Sequence, residues 1–423
     1  MSKLKELLRE FCPDGVEYKP LRDVVESFSG MSGVSNKWKE SGNCKFIDYL
    51  NVYNNLTVDV SKLQNATVKN LNQNTLQIGD ILLTCASEIP QECAISAVIR
   101  NNIDDDVFLD DHLFGIRLKP EFSATICPAF VNYYFCSSQF RTQVCKIVRG
   151  VTRFYIIPKS FLNLEIPVPS LEVQEEIVRI LDYFTNLAAE LQAELQAELQ
   201  ARKEQYEYYR NKLLNFDKIG GGTQSVTWMK MSEICLNITS GGTPNTSQKE
   251  YYMGNIPWLR TQEVAWHDIL DTEMKISEEG LKNSSAKMIP INCVIVAMYG
   301  ATAAKVAINK IPLCTNQACC NLEINPQKAY YRFVYQWLCK EYENLKAKGE
   351  GSQHNINSKK IKNYLIPVPS LAEQERIAAI LDRFERLTTD LQTGLPAEIA
   401  AVQEQYEYYR NKLLSFPRSK ISA

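Results

Sequence analysis

Few residues in this chain have the types and spacing that chemistry requires. Pro13, Asp14, Glu17 and Lys19 spell PD followed by ExK, and carboxylates with a lysine are what surround the magnesium ion of metal-dependent nucleases. Here only two residues separate the halves, whereas such a site draws them from two neighbouring strands, so the spacing argues against a nuclease acting alone. The acidic run Asp104, Asp105, Asp106, Asp110 and Asp111 offers cation ligands, but these are equally the residues of a solvated loop. The only histidines, His112, His267 and His354, are scattered, and GxxxxGK, GxGxxG after a strand, GxSxG and HExxH are missing. Enzyme readings have little to stand on, and neither a catalytic residue nor a metal site is assigned.

The side chains suited to polyanions are better placed. Arg141, Lys146, Arg149, Arg153 and Lys159 lie in one stretch without an acid, and Lys346, Lys348, Lys359, Lys360 and Lys362 lie in another with only Glu350. Both stretches end just before the same hexapeptide, IPVPSL, at residues 166–171 and 366–371. Basic segments at equivalent places suit contacts to phosphates, which position a protein on a duplex without reading it, although either stretch alone also fits a solvated face. Base-edge readers are expected in the polar loops at residues 240–247, 257–262, 299–305, 316–317 and 351–357, and in 29–37, 85–92 and 150–155. They supply Lys37, Thr243, Asn245, Arg260, Tyr299, Thr302, Lys305, Gln317, Gln353, His354 and Asn355, residue types that also fill ordinary turns.

The elements that must position these residues come in two copies. EQYEYYRNKLL at 204–214 recurs unchanged at 404–414, and the two IPVPSL copies share that offset, so 32 residues (172–203 and 372–403) separate the motifs each time. Apolar residues in both spacers follow helical spacing, for example Ile177, Leu181, Phe184, Leu187, Leu191 and Ile377, Leu381, Phe384, Leu387, Leu391. A helix from 171 to 216 is roughly 65–70 Å long, too long for the inside of one compact domain, so the two helices are expected to pack on each other. Ser170 and Ser370 are candidate N-caps, and Glu373 completes a capping box in the second copy only. Gly394 and Pro396 predict a kink in the second helix. The first instead carries AELQ three times, at 189–192, 193–196 and 197–200.

In the repeated segment Tyr206, Tyr209 and Leu213 share one stripe, leaving Glu207, Tyr208, Arg210 and Asn211 to face elsewhere, as do Glu407, Tyr408, Arg410 and Asn411. An outward aromatic beside an arginine is interface-like, and its repetition predicts one partner species docking twice, related by a pseudo-two-fold axis. Recent duplication would also leave identical segments. Between the helices, residues 1–165 and 217–365 hardly match. Strand-like runs at 75–84, 113–118, 292–298 and 305–308, and helical patterns after Pro128 and around 330–348, predict mixed α/β heads.

Composition sets the remaining bounds. With 423 residues, 45% of them apolar and 23% charged, the chain can bury cores for two to four domains. A net charge of −2 argues against indiscriminate polyanion binding. The 13 cysteines are odd in number and lack CxxC spacing, which predicts a reduced, cytoplasmic setting. The charged start MSKLKELLREF and the lack of any 18-residue apolar run predict neither signal peptide nor membrane association.

CPDGVEY at 12–18, SGGTP followed by GNIPW, IPVPSL with a following Gln174 or Gln374, and paired helices ending in EQYEYYRNKLL together make the chain resemble the specificity subunit of Type I restriction-modification systems over essentially its whole length. The resemblance implies an α+β fold with two target-recognition domains, 1–165 and 217–365, and two long antiparallel coiled-coil helices, 166–216 and 366–423. It implies double-stranded DNA, two methyltransferase subunits and restriction subunits as partners. S-adenosylmethionine, magnesium and ATP would then sit on those partners and no cofactor on this chain. A coiled-coil adaptor without a DNA role is the alternative.

On that resemblance the AELQ triplet is an adjustable length. Removing residues 193–196 shortens the helix by about 6 Å and rotates its remainder by about 40°; one base pair advances about 3.4 Å and turns about 34°. Deletion is expected to leave both half-sites unchanged and shorten the gap between them by one base pair, and a fourth unit to lengthen it by one. Methylome sequencing of the deletion strain reads this directly, and an unchanged gap at full activity would reduce the triplet to tolerated slippage.

Overall fold

The computed structural model describes residues 2–37, 41–103, 106–216, 226–350, 355–389 and 394–419, except the side chains of Ser2 and of residues 35–37. The chain forms two compact units, Met1–Ala193 with Ala400–Ala423, and Glu194–Ile399. Among the described residues no helix is long and apolar enough to cross a membrane, and every cysteine is a free thiol.

Unit one contains the first head. Its main sheet is antiparallel, in the order Val25–Ser29, Leu113–Leu118, Ile81–Thr84, Ser96–Val98. Ile81 and Leu83 point into a core shared with Phe130, Tyr134 and the start of the first long helix. Leu82 points the other way, toward Val52, Ala97 and Leu113. Both faces are covered, which is why the strand reads as an unbroken apolar run rather than an alternation. The strand expected over 75–84 is confined to its last four residues because Gly79, at φ 91°, turns the chain first. A second sheet, in the order Val34–Lys37, Gln64–Val68, Cys44–Ile47, Val107–Leu109, completes the head.

Unit two repeats this plan with unrelated residues. Cys235–Ser240, Cys319–Ile324, Val294–Ala297 and Val306–Asn309 come in the same order, extended by Asp268–Ile269. Val294 and Val296 face a core with Phe333 and Leu338, while Ile295 and Ala297 face Leu259 and Ala307. In both units the IPVPSL strand pairs antiparallel with a strand near the head's start: Glu165–Pro167 with Tyr18–Pro20, and Leu365–Val368 with Thr227–Lys230.

The first long helix is continuous over Leu171–Leu213. Its first turns bury Val173, Ile177 and Leu181, but no residue of the three AELQ units is buried. Leucines four apart precess around a 3.6-residue helix and cannot stay on one buried stripe. The second copy is two helices, Leu371–Thr389 and Leu395–Leu413, rather than one kinked helix. Pro396 stands in the first turn of the new helix, where its missing N–H would have had no partner. Gly394 accepts the Ala397 amide at 2.9 Å.

Within unit one, the last helix runs antiparallel to the first long helix: Tyr409 packs on Phe184 at 5.9 Å, and Gln192 donates to Gln403 at 3.2 Å. The chain end then closes on the first head, with the Val16 amide on the Pro417 carbonyl at 2.8 Å and the Tyr18 hydroxyl on the Phe416 carbonyl at 3.1 Å. Gly15, at φ 98°, permits this approach, because a Cβ there would lie 2.7 Å from the Pro417 oxygen.

Two polar arrangements recur in both units. In the first, a tyrosine of the repeated segment enters a joint. Tyr406 meets Thr185 at 2.9 Å, Tyr133 donates to Asp182 at 2.8 Å, and Arg100 binds Asp182 through both guanidinium nitrogens. Tyr206 donates to Gln336 at 2.8 Å, Gln336 donates to Asp382 and Glu385 at 2.9 Å, and Arg332 pairs with Asp382. In the second, a fully buried glutamine fastens each outgoing helix. Gln174 accepts the Cys127 amide at 2.8 Å and donates to the Thr125 and Pro169 carbonyls. Gln374 does the same with Tyr330, Lys328 and Pro369. The expected caps are weaker: Ser370 accepts the Glu373 amide at 3.4 Å, but the Ser170 hydroxyl is buried without a partner. Glu373 pairs with Arg376 instead of closing a capping box.

Gln174→Leu leaves one amide and two carbonyls without the partner a fully buried side chain supplied, so it is expected to destabilise the protein by about 3 kcal/mol. Gln374→Leu should behave alike. Denaturant unfolding measures both, and a loss under about 0.5 kcal/mol would show that water replaces the side chain.

Candidate nucleic-acid interface and partner face

In each head three loops converge, held by the same backbone bonds; in unit two all three were expected readers, but in unit one the third is the turn at His112, which was not. The Cys85 amide donates to the His112 carbonyl, the Ile156 amide donates to Cys85, and Arg149 and Tyr155 exchange amide bonds. In unit two the Met298 amide donates to Ala318, the Ile356 amide to Met298, and Glu350 and Asn355 exchange bonds. Each central loop closes through a buried alanine in the left-handed region, Ala94 at φ 54° and Ala304 at φ 70°. Such a residue costs about 1–2 kcal/mol and persists only where its surroundings hold it. In unit one Arg141 supplies part of that hold, donating to the carbonyls of Ala94 at 2.9 Å, Gln91 at 2.7 Å and Cys93. Burial lowers its pKa from the ordinary arginine value. Arg141 is therefore a brace of the loop and not the phosphate contact expected of it.

Beside these loops in unit one lies a cleft of about 950 Å³ lined by Tyr49, Tyr53, Glu88, Glu92, His112 and Arg153 among others. Tyr49 and Tyr53 stack at 5.6 Å, and the Ser87 hydroxyl donates to Glu92. Asp110, Asp111 and His112 form the one group of three with metal-ligand types among the described residues. Lys146, Arg149, Arg153 and Lys159 are exposed on this head. The Lys37 side chain, Asp104 and Asp105 lie outside the described residues.

In unit two several expected readers are bound into the loops themselves. Thr243 donates to Gln317, both exposed. Asn245 closes its own turn by accepting from Ser247. Arg260 is held by Glu273 at 2.6 Å, and Thr302 donates to the Thr261 carbonyl at 2.8 Å. Asn355 accepts the Gly300 amide, Lys305 lies 4.5 Å over the Trp266 ring, and Tyr299 is exposed. Gln353 and His354 lie outside the described residues. The basic stretch here lines a second cleft, of about 1070 Å³, with Lys340, Lys348, Lys359 and Lys360. Lys359 is exposed, but Lys360 is tied to Glu350 and to the Lys348 carbonyl. Trp266, exposed at φ 57°, was not among the expected readers, nor were Tyr49 and Tyr53. The short AWHD run marks Trp266 only weakly.

On the repeated segment the outward face is narrower than its sequence implies. Tyr208 and Tyr408 are 59% and 60% exposed, and Glu207 and Glu407 are exposed beside them. Lys212 and Lys412 lie over the tyrosine rings at 5.6 and 5.7 Å, members of this face that helical spacing alone left out. Arg210 and Arg410 turn inward instead, over Tyr206 and Tyr406 at 5.1 and 5.5 Å, with their Nε atoms buried. Asn211 is exposed, whereas Asn411 accepts the Ser138 amide at 2.8 Å. Of the PD and ExK residues, Lys19 pairs with Glu17 at 2.8 Å.

The duplicated architecture has a counterpart among known families. The family model described as Type I restriction modification DNA specificity domain matches residues 13–201 and again 207–401. This chain belongs to that family. It is 38% identical to the Type I restriction enzyme EcoR124I/EcoR124II specificity subunit of Escherichia coli over 61% of this chain, an alignment spanning 65% of that protein. A putative type I restriction enzyme specificity subunit of Haemophilus influenzae is 32% identical, over 68% of this chain and 72% of its own length. The HsdS subunit of Thermoanaerobacter tengcongensis superposes with a TM-score of 0.56 at 16% identity, covering 96% of both chains. A chain from a structure on complex assembly and conformational transition of the type I R-M system reaches 0.70, also at 16% identity, over 95% of this chain and 98% of its own. At that identity the likeness is one of fold: two mixed α/β heads joined by long helices.

The two kinds of arginine separate experimentally. Arg149→Ala with Arg153→Ala is expected to weaken binding to matched and mismatched duplexes alike, and to flatten its salt dependence by about one unit of slope per lost phosphate contact. Arg141→Ala is expected to leave that slope alone and cost about 2 kcal/mol of stability. Salt-dependent binding titrations and thermal unfolding check both, and an unchanged slope in the first variant would show its side chains are merely solvated.

Proposed function

We propose that this chain is the non-catalytic DNA-reading subunit of a Type I restriction-modification complex. Each head reads one part of a bipartite, asymmetric site in double-stranded DNA, in the cytoplasm. The observation that carries this reading is the three-loop edge built twice on the same backbone bonds with different side chains. One frame with two residue sets is what two unlike half-sites require.

Within this reading the exposed cations Lys146, Arg149, Arg153, Lys159 and Lys359 contact phosphates. The acidic cleft of unit one suits base edges better than backbone, because carboxylates repel phosphate and accept from the cytosine amino group. In unit two Thr243, Tyr299, Lys305, Gln317 and Asn355 stand at the corresponding edge. Glu207, Tyr208 and Lys212, with Glu407, Tyr408 and Lys412, dock two methyltransferase subunits, and restriction subunits join through them. Adenine methylation requires a base taken out of the stack, so S-adenosylmethionine, magnesium and ATP belong to those partners and the aiming belongs to this chain.

Replacing residues 217–365 with the second head of another family member is expected to change one half-site and leave the other intact. Methylome sequencing of cells carrying the chimera and its methyltransferase decides it. A change in both half-sites would refute independent heads, and no bipartite motif at all with an active partner would leave a coiled-coil adaptor.

A further inference from the structure

The two helices that begin at IPVPSL share a fold but present different faces. In unit two, Arg202, Arg383 and Arg386 rim a groove of about 670 Å³ whose remaining lining is Ile380, Phe384 and Leu387. Arg383, Arg386 and Leu387 are exposed. The nearest carboxylates along the helix, Asp382 and Glu385, are already engaged by Arg332. Arg383 and Arg386 therefore have no ion pair among the described residues. Arg202 is held in place by Glu198 and Gln205.

Stepping these positions by the repeat offset gives Ile180, Phe184 and Leu187 for the floor, but Tyr183, Asn186 and Val402 for the arginines. The apolar floor is kept in type and three positive charges are lost. In unit two the floor also continues into the outward face of the repeated segment: Phe384 stacks on Tyr209 at 5.5 Å, and Tyr209 meets the exposed Tyr208 at 5.3 Å.

We propose that this groove receives a methyltransferase segment carrying both carboxylates and apolar side chains, and that unit one takes its own copy without this ionic contact. The inference rests on the docking role proposed for Tyr208 and Tyr408. A duplex backbone would satisfy the guanidiniums but offers nothing to cover Ile380, Phe384 and Leu387, and a neutral apolar partner would desolvate Arg383 and Arg386 without compensation. An amphipathic acidic segment meets both demands. The two docking sites for one partner species then differ, with the unit-two site dependent on ionic strength.

The test titrates the full chain with the purified methyltransferase subunit of its own system, with sedimentation at low and high salt as the readout. Arg383→Glu with Arg386→Glu is expected to weaken one of the two methyltransferase copies by about tenfold or more at low salt and to spare the other, the difference shrinking as salt screens the contact. Arg383→Gln with Arg386→Gln should fall between, and thermal unfolding confirms that these surface variants fold. Two copies bound by the reversed variant with unchanged affinity would overturn the groove assignment alone. Loss of duplex affinity with both copies retained would overturn it too, making the arginines phosphate contacts. A wild-type chain that binds no methyltransferase would remove the docking role itself, and this inference with it.

Discussion

A long exposed helix buries too little to hold its own position, so in each unit the structure depends on the polar joint that a tyrosine of the repeated segment enters, at Thr185 of the first long helix in unit one and at Gln336 of the head in unit two. Tyr406 and Tyr206 reach Thr185 and Gln336, and through them the carboxylates Asp182, by way of Tyr133, and Asp382. Around this contact the inward residues are determined. Arg210 and Arg410 cover the tyrosine rings, Tyr209 stacks on Phe384 and Tyr409 packs at a tilt on Phe184, and Leu213 and Leu413 pack into their units' cores. Desolvated hydroxyls and guanidiniums that find partners only in one geometry specify register more sharply than apolar contact does. This gives a structural reason, besides recent duplication, for eleven unchanged residues: Tyr206, Tyr209, Arg210 and Leu213 and their copies are committed inward, while Glu207, Tyr208 and Lys212 and their copies present one face twice.

The heads solve a different problem, since their reading residues must vary while their frame does not. The three loops of each edge are fastened by main-chain bonds, from Ile156 to Cys85 and from Ile356 to Met298, which any side chain can provide. Where side chains do help, they brace rather than read, as Arg141 does on the carbonyls beside Ala94. A frame that draws little on its reading residues can change specificity without a large loss of stability.

Much of the scaffold was legible in the sequence because it repeats. A fixed offset and helical spacing located the long helix to within a few residues of Leu171–Leu213, and the apolar run at Leu113–Leu118 was a strand throughout. What was hidden depended on partners far along the chain. Ser170 fits every local rule for a cap, yet Gln174, four residues on, does the fastening by reaching Cys127 and Thr125. Pro396 has the local mark of a kink, but a proline in the first turn of a new helix costs nothing. The shared topology of the heads was invisible because both faces of their central strands are buried, and any apolar residues of the right volume satisfy that demand.

Asn211 and Asn411 set the limit most clearly. They sit in identical eleven-residue segments, yet one faces water and the other accepts the Ser138 amide at 2.8 Å. No local property of the sequence can separate them, because the difference is supplied by the head. The same holds for the basic stretches: Arg141 and Arg149 belong to one run of positive charge, but only Arg141 meets carbonyls turned inward by a left-handed alanine. Charge in the sequence therefore identifies which residues could contact phosphate, and the packing of the loops decides which of them are free to do so.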